Sequence, residues 1–243
     1  IAASTWATAV KDAGVFKIGG VQTSTLFSLL NEKDGQTRGF DAGIAQLLSN
    51  YILGENKVEI TQVTSDTRES VLQNGQVDAV FATYTITDER KKLVSFAGPY
   101  YYTQQAILVL ADNDDIKSFE DLAGKTTANS LASTYMELAE SYGATVQGID
   151  TLEETIQLLT AGRIDATLNA NVSFYDYLNV HPDADFKLVA QTEDASHVAI
   201  PIVKSEDSSF LDALNSAIDE LRADGTLKEL GEKYFGQDIS SEN

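Results

Sequence analysis

The chain has 243 residues, of which 43% are hydrophobic and 22% are charged, an ordinary composition for a globular protein. Its 37 acidic residues outnumber the 17 lysines and arginines, and the net charge of −20 argues against nucleic-acid binding and self-association, so we expect a monomer. With no cysteine and only two histidines, the chain lacks material for disulfides and for most metal sites, and we expect no cofactor.

The first part of the chain alternates between predicted strands and helices, which indicates an α/β fold. We predict a strand at 15–19, a helix at 39–53, a strand at 58–63, a short helix at 69–73 and a strand at 77–82. The helix at 39–53 is the clearest, because Phe40, Ile44 and Leu48 recur at helical spacing.

A second series of elements begins near residue 112. We predict a capped turn at 118–125, helices at 133–142 and 152–161, and a strand at 164–168. Near the end of the chain, Leu211, Leu214, Ile218 and Leu221 form the apolar stripe of a helix that ends at Gly225.

Two segments repeat one local plan. Residues 72–79 and 159–166 both read as a helix end, a glycine and a strand start, which predicts two similar α/β lobes. The apolar runs at 105–110 and 197–203 are suited to be the two strands by which the chain passes from the first lobe to the second and returns. We therefore expect a discontinuous first lobe of residues 1–106 and 201–243, and a second lobe of residues 107–200.

The stretch after the strand at 77–82 is dense in hydroxyl groups and leads to Arg90. Ligands of α/β sheets bind where strands end, and a guanidinium presents two parallel donors to a carboxylate. Thr85 offers a hydroxyl and an N–H group, and the carbonyl of Thr83 is available to an ammonium group. The alternative is a surface arginine that caps a helix beside Asp88 and Glu89.

The same stretch carries a long motif, NGQVDAVFATYTITDERKKLVSFAGPYYY, between Asn74 and Tyr102. It resembles the amino-acid-binding branch of the type II periplasmic solute-binding proteins. The segments LRADGTL at 221–227 and KYFG at 233–236 are similar to the closing helix of that family, and Phe40-Asp41 is similar to its first-helix entry.

The resemblance implies an extracytoplasmic substrate-binding subunit of an ABC amino-acid importer, not an enzyme. Two similar α/β lobes, joined by a two-strand hinge, would capture a free amino acid by hinge closure. A membrane permease and an ATPase are the implied partners. The implied location is the periplasm, or the cell surface as a lipid-anchored protein whose signal segment has been removed.

The resemblance also implies roles for single residues. It places Arg90 on the ligand's α-carboxylate with Thr85 beside it, and the helix start at Ser133 and Thr134 on the other side of that carboxylate. Without the resemblance, Ser133 reads as a plain helix cap.

Arg68 is the clue to ligand specificity. It is similar to the arginine that holds the side-chain carboxylate in the aspartate- and glutamate-binding members. The alternative is a solvated ion pair with Asp66 or Glu69, which contributes little.

Three positions depart from the family pattern. Ala170 stands where a carboxylate usually meets the ligand's ammonium group, so the amide oxygens of Asn169 and Asn171 are the candidate replacements. Ser24 stands where an aromatic residue often stacks on the ligand, which leaves Phe27 as the nearest ring. Val21 replaces a lysine found in some acidic-ligand members.

The second lobe indicates a different ligand. Residues 129–135 and 169–178 are more similar to the cystine-binding branch. We therefore expect an acidic amino acid, with cystine, glutamine or another polar amino acid as the alternative. A sensor domain of a receptor and a dehydratase-like enzyme on the same fold remain open. We also expect Tyr84 and the tyrosines at 100–102 to line the cleft mouth or the hinge region.

Overall fold

The computed structural model describes residues 10–24, 26–64, 67–130, 133–149 and 151–241. The chain divides into two compact units, Ile1–Tyr102 with Ser196–Asn243 (unit 1) and Thr103–Ala195 (unit 2). Unit 1 is thus discontinuous. The lobe boundaries expected from the sequence lie a few residues beyond these divisions.

The strands are β1 (Phe16–Gly20), β2 (Thr23–Ser24), β3 (Ser28–Asn31), β4 (Gln36–Arg38), β5 (Val58–Gln62), β6 (Ala79–Phe81), β7 (Val94–Thr103), β8 (Gln105–Leu110), β9 (Thr126–Ser130), β10 (Thr145–Ile149), β11 (Thr167–Ala170), β12 (Phe186–Gln191) and β13 (Ser196–Val203). The helices are Phe40–Leu53, Arg68–Gln73, Asp88–Lys91, Thr134–Ser141, Leu152–Thr160, Asn171–Val180, Ser209–Ala223 and Thr226–Phe235, with a 3₁₀ turn at Glu120–Leu122.

The main sheet of unit 1 is parallel, with β1 between β5 and β6. Its register pairs Phe16 with Val58 and Ile18 with Ala79. All of β6 is buried, as expected for a parallel strand that is covered on both faces. The end of β6 therefore delivers the chain from the core directly to the loop that holds the candidate residues.

The helix Phe40–Leu53 forms as its spacing predicts, and it buries Phe40, Ile44 and Leu48. It ends at Gly54, which adopts the left-handed conformation. The C-terminal helix Ser209–Ala223 also forms, but its buried stripe is Phe210, Leu214, Ala217 and Ile218. Leu211 and Leu221 lie at the edge of that stripe and are only half-buried.

Strand β8 explains the layering of unit 2. It lies between β11 and β12 and is antiparallel to both. Its side chains alternate between two clusters, with Ile107 and Val109 in one, and Ala106 and Leu108 in the other. Because successive residues of a strand face opposite sides, an unbroken apolar run here packs helices on both faces of the sheet. A separate parallel pair, β9 and β10, completes the described strands of the unit.

The repeated plan in the sequence is a repeated structure. Gly75 and Gly162 both end a helix at positive φ, 81° and 72°. In unit 1 the Asp78 carboxylate accepts from the Lys17 N–H (2.9 Å) while the Asp78 N–H donates to the Lys17 carbonyl (2.7 Å). In unit 2 Asp165 makes the same two bonds to Thr126, at 2.9 and 2.8 Å.

Several expectations need correction. The strand predicted at 164–168 is Thr167–Ala170, because Asp165 is engaged with Thr126 and Ala166 makes only an isolated bridge to Thr127. Tyr100 and Tyr101 are fully buried in the aromatic core of unit 1, which does not fit the cleft mouth expected for them, whereas the alternative, the hinge region, stays a prediction. Among the residues that the structure describes, no helix is long and apolar enough to span a membrane.

Candidate functional site

Two arginines of unit 1 meet at one tyrosine ring. Arg68 opens the helix Arg68–Gln73, and Arg90 lies in the one-turn helix Asp88–Lys91. The guanidinium carbon Cζ lies 4.6 Å from the centre of the Tyr84 ring for Arg68 and 4.2 Å for Arg90. Both distances are within the range of a cation–π contact.

Each guanidinium is also held by a backbone carbonyl that follows β6. Arg68 Nη1 donates to the carbonyl of Ala82 at 3.0 Å, and Arg90 Nη1 donates to the carbonyl of Thr85 at 2.8 Å. The backbone of Arg90 is fixed as well, because its N–H donates to the Thr87 hydroxyl that caps the helix. Each bond to a carbonyl uses one guanidinium nitrogen and leaves other donors for a ligand.

The loop between β6 and Arg90 is tied to β13. Thr85 forms an antiparallel bridge with Val198, the Ile86 N–H donates to the carbonyl of His197, and the Ala199 N–H donates to the carbonyl of Tyr84. Thr83 is exposed and has a φ of 52°, a conformation that costs energy in residues other than glycine. Such strain is typical of loops at functional sites.

Tyr84 is almost completely buried, with 1% exposure. Its hydroxyl donates to Glu69 Oε1 at 2.5 Å, and its ring stacks on Phe96 at a centroid distance of 5.7 Å. Burial and the bond to Glu69 raise the pKa of Tyr84 to about 12, although the two nearby arginines act to lower it. Tyr84 is therefore a neutral phenol across the physiological pH range.

The arginine pair forms a local island of positive charge. Burial lowers the pKa of Arg68, and the nearby Arg90 lowers it further. Within the described part of the chain, the salt bridges all lie elsewhere, and neither arginine is paired with a carboxylate. Arg68 Nε is buried without a hydrogen-bond partner among the same residues. In a chain of net charge −20, this concentration of positive charge makes the arginine pair a candidate site for an anion.

The acidic neighbours considered as ion-pair partners are engaged differently. Asp88 Oδ1 lies 3.8 Å from the ammonium nitrogen of Lys91, and Glu69 accepts the hydroxyl of Tyr84. Asp66 lies outside the described residues. The roles of Glu69 and Phe96 in supporting Tyr84 escaped the sequence analysis, since only the folded chain brings the three side chains together.

In unit 2, Ser133 caps the helix Thr134–Ser141, and its hydroxyl accepts from the Met136 N–H at 3.2 Å. Thr134 is the first helical residue and is exposed. Helix starts carry free N–H groups that favour an anion. The geometry is thus that of a helix cap, and the ligand contact expected of both residues stays a prediction.

The two asparagines around Ala170 differ in their hydrogen bonds. Asn169 is half-buried, and its Oδ1 accepts from the Ala170 N–H at 2.8 Å. Asn171 is buried, its Oδ1 accepts from the N–H groups of Gln104 and Val172, and its Nδ2 donates to Gln191. The amide of Asn171 is occupied by the fold of unit 2, so Asn169 is the better placed of the two for an ammonium group.

The remaining candidates belong to the first segment of unit 1. Phe27 is 8% exposed, and its ring contacts those of Phe40, Tyr101 and Phe235 at 5.1 to 6.3 Å. Core packing therefore occupies its ring surface, and stacking on a ligand stays a prediction. Ser24 lies in β2, and its side chain is outside the described part of the structure. Val21 is half-buried against the cluster that contains Tyr84.

Comparison with known proteins identifies the family. The model of the bacterial extracellular solute-binding proteins, family 3, matches residues 16–237. The chain belongs to this family.

Relatives of this solute-binding protein agree over most of their length. A probable amino-acid ABC transporter-binding protein of Haemophilus influenzae is 30% identical over 86% of this chain and 80% of that protein. A glutamate-binding protein, GluB, of Corynebacterium efficiens is 31% identical over 86% of this chain and 75% of that protein. The structure of the L-cystine solute receptor of Neisseria gonorrhoeae superposes with a TM-score of 0.81, at 30% identity, over 98% of this chain and 99% of that one.

These matches confirm the resemblance stated from the sequence, to the amino-acid-binding solute-binding proteins of ABC importers. They also confirm the α/β fold of the type II periplasmic binding proteins. Within the described residues, no group of histidine, cysteine, aspartate and glutamate side chains is arranged to hold a metal ion.

Proposed function

We propose that this protein is the substrate-binding subunit of an ABC importer and that it captures an acidic amino acid, glutamate or aspartate. The observation that carries the proposal is the pair Arg68 and Arg90 at Tyr84, which has no carboxylate partner among the described residues. Two neighbouring guanidinium groups repel each other, and a ligand with two carboxylates supplies one counter-charge for each of them. Such a ligand is therefore favoured over one with a single carboxylate.

The two arginines have different tasks in this proposal. Arg90 binds the α-carboxylate, because it lies beside Thr85, whose hydroxyl and backbone N–H can donate to the same carboxylate. Arg68 binds the side-chain carboxylate through the donors that the bond to Ala82 leaves free. The ammonium group is met by the Thr83 carbonyl and the Asn169 amide oxygen, and Ser133 and Thr134 add contacts on hinge closure.

Cystine is the second candidate, because it also carries two carboxylates. The second-lobe segments that are similar to the cystine-binding branch, together with the cystine receptor among the structural relatives, support it. Its carboxylates lie much further apart than those of glutamate. Glutamine is disfavoured, because its neutral amide would leave a buried part of Arg68 without a counter-charge.

The proposal extends to partners and location. The importer's permease and ATPase receive the loaded protein, which acts outside the cytoplasm as a monomer, free in a periplasm or lipid-anchored at the cell surface. No chemical conversion of the ligand is involved. Recovery of the unchanged amino acid after binding separates this role from that of a dehydratase, and a permease and an ATPase encoded next to the gene separate it from a sensor domain.

A thermal-shift panel of the twenty amino acids and cystine tests the ligand assignment, with calorimetry on every hit. We expect glutamate or aspartate to give the largest stabilisation and glutamine a much smaller one, because at equal ligand concentration the ligand with the higher affinity stabilises the folded protein more. Stabilisation by cystine alone would support the second candidate. The largest shift from glutamine or another neutral residue would reject the role of Arg68.

A further inference from the structure

Two arginines that lie close together repel each other, so other groups of the protein must offset this repulsion. Both Cζ atoms lie within 4.6 Å of the centre of the Tyr84 ring, so they are separated by less than about 9 Å. That separation is about one Debye length at physiological ionic strength, and a buried pair is screened less than an exposed one. The like charge of Arg90 already lowers the pKa of Arg68.

The contacts of Tyr84 are suited to offset the repulsion between the two arginines. The face of an aromatic ring carries negative potential, which attracts both guanidinium groups at once. The hydroxyl of the same ring donates to Glu69, which brings one carboxylate near the pair without occupying either arginine in a salt bridge. Phe96 stacks on the ring and the surrounding side chains bury it, so the ring has little freedom to move.

We propose that Tyr84 is a positioning residue of the amino-acid site, whose ring and bond to Glu69 fix the separation of the two guanidinium groups. That separation sets which distance between two carboxylates the site accepts, and thus the choice between glutamate and aspartate. The ligand part of this inference rests on the proposed function. The positioning itself is a property of the ligand-free protein.

The variants Tyr84→Phe and Tyr84→Leu divide the two contributions. Phenylalanine keeps a ring within reach of both arginines and loses the hydroxyl, whereas leucine removes the ring. Glu69→Gln keeps the ring and removes the carboxylate at an exposed position. Tyr100→Phe is the matched control, because Tyr100 is a fully buried tyrosine of the same unit that bonds a carboxylate, Asp41, away from the arginines.

The first measurement needs no ligand. In ¹H–¹⁵N spectra of the free protein, the Nε–Hε signals of Arg68 and Arg90, assigned with the variants Arg68→Lys and Arg90→Lys, report ring-current shift and exchange with water. We expect Tyr84→Leu to remove the ring-current shift of both signals and to accelerate their exchange. Tyr84→Phe and Glu69→Gln should both preserve the shifts and accelerate exchange, because each removes the bond between these two residues, and the control should change neither quantity.

The second measurement is the ratio of glutamate to aspartate affinity by calorimetry. We expect Tyr84→Leu to change this ratio by about fivefold or more, the scale of one partly buried cation–π contact, and Tyr84→Phe to leave it within about twofold. If Tyr84 only supported the fold, Tyr84→Leu would instead lower the affinities for glutamate and aspartate by the same factor. Equal weakening, or arginine signals unchanged in Tyr84→Leu, would overturn the inference.

The two proposals fail separately. If the wild type binds no acidic amino acid, the proposed function and the ligand part fall together, and the arginine signals still decide the positioning role. If Tyr84→Leu does not fold, Glu69→Gln decides it: faster exchange at both arginines supports the role, and unchanged exchange contradicts it.

Discussion

The hydroxyl of Tyr100 donates a hydrogen bond of 2.5 Å to the carboxylate of Asp41, and both side chains are buried in unit 1. Burial raises the pKa of Asp41 from 3.8 to about 7, although the bond from Tyr100 opposes the change. The native protein therefore holds a proton on Asp41 at pH values where the unfolded chain has lost it.

This raised pKa makes stability depend on pH. Between about pH 4 and pH 7 the native state binds more protons than the unfolded state, so the free energy of unfolding falls as the pH rises. The Asp41 contribution amounts to as much as about 4 kcal/mol across that window. Urea denaturation from pH 4.5 to 8 should show this decline in the wild type and a flatter profile in Asp41→Asn. Parallel profiles for the two proteins would contradict the assignment.

Arg90→Ala should weaken amino-acid binding by about 100-fold or more, because it leaves a desolvated ligand carboxylate without its counter-charge. The unfolding free energy should change by no more than about 2 kcal/mol, because the loss of the hydrogen bond to Thr85 and of the contact with the Tyr84 ring is partly offset by the relief of repulsion with Arg68. Calorimetry and urea denaturation measure the two quantities. The control is Lys91→Ala, whose side chain is exposed next to Arg90. Near-normal affinity in Arg90→Ala would remove it from the site.

Arg68→Gln should separate acidic from neutral ligands. We expect glutamate affinity to fall by about 100-fold, because the variant removes the counter-charge of the side-chain carboxylate. Any glutamine affinity should stay unchanged or rise, because the variant also removes the guanidinium that a neutral amide leaves without a counter-charge. Competition calorimetry with both amino acids checks this. Arg163→Gln, at an exposed position of unit 2, should alter neither affinity. An equal loss for both ligands would argue that Arg68 supports the fold and not the selection.

Asn171→Ala should mainly lower stability, whereas Asn169→Ala should mainly lower ligand affinity. The first leaves the N–H of Gln104 without its side-chain acceptor and should lower the unfolding free energy by about 2 kcal/mol. The second removes one local bond, so its effect on stability should be smaller and its effect on ligand affinity larger. Denaturation and calorimetry on both variants test the pair. Lost affinity in Asn171→Ala with unchanged stability would reverse these assignments.

The sequence alone predicted the α/β class and the helices with a clear apolar period, such as Phe40–Leu53. It also named Arg90, Arg68 and Thr85 as candidate ligand contacts, and in the structure both arginines contact the Tyr84 ring and Arg90 donates to the Thr85 carbonyl. Their contact with a ligand stays a prediction. It missed the small sheet of β2, β3 and β4, because these strands have two to four residues and Leu29 and Leu30 are exposed on β3. Strands this short carry too little alternation to be recognised.

The limits at the site have the same kind of cause. Nothing in the local pattern around Tyr84 shows that two arginines, from helices before and after it, share its ring. Phe27 was named as a ligand contact from its position in the first loop, and the sequence did not show that its ring also packs against Phe235 near the end of the chain. Contacts between residues far apart in sequence depend on the assembled core, and a single sequence does not display them.

The matching bonds of Asp78 and Asp165 make the segments 72–79 and 159–166 interchangeable parts. Each segment closes a helix on a glycine, buries its leucine and its β-branched residue, and anchors the next strand with an aspartate. If one segment replaced the other, its aspartate should therefore make the same two hydrogen bonds to the backbone of the neighbouring strand.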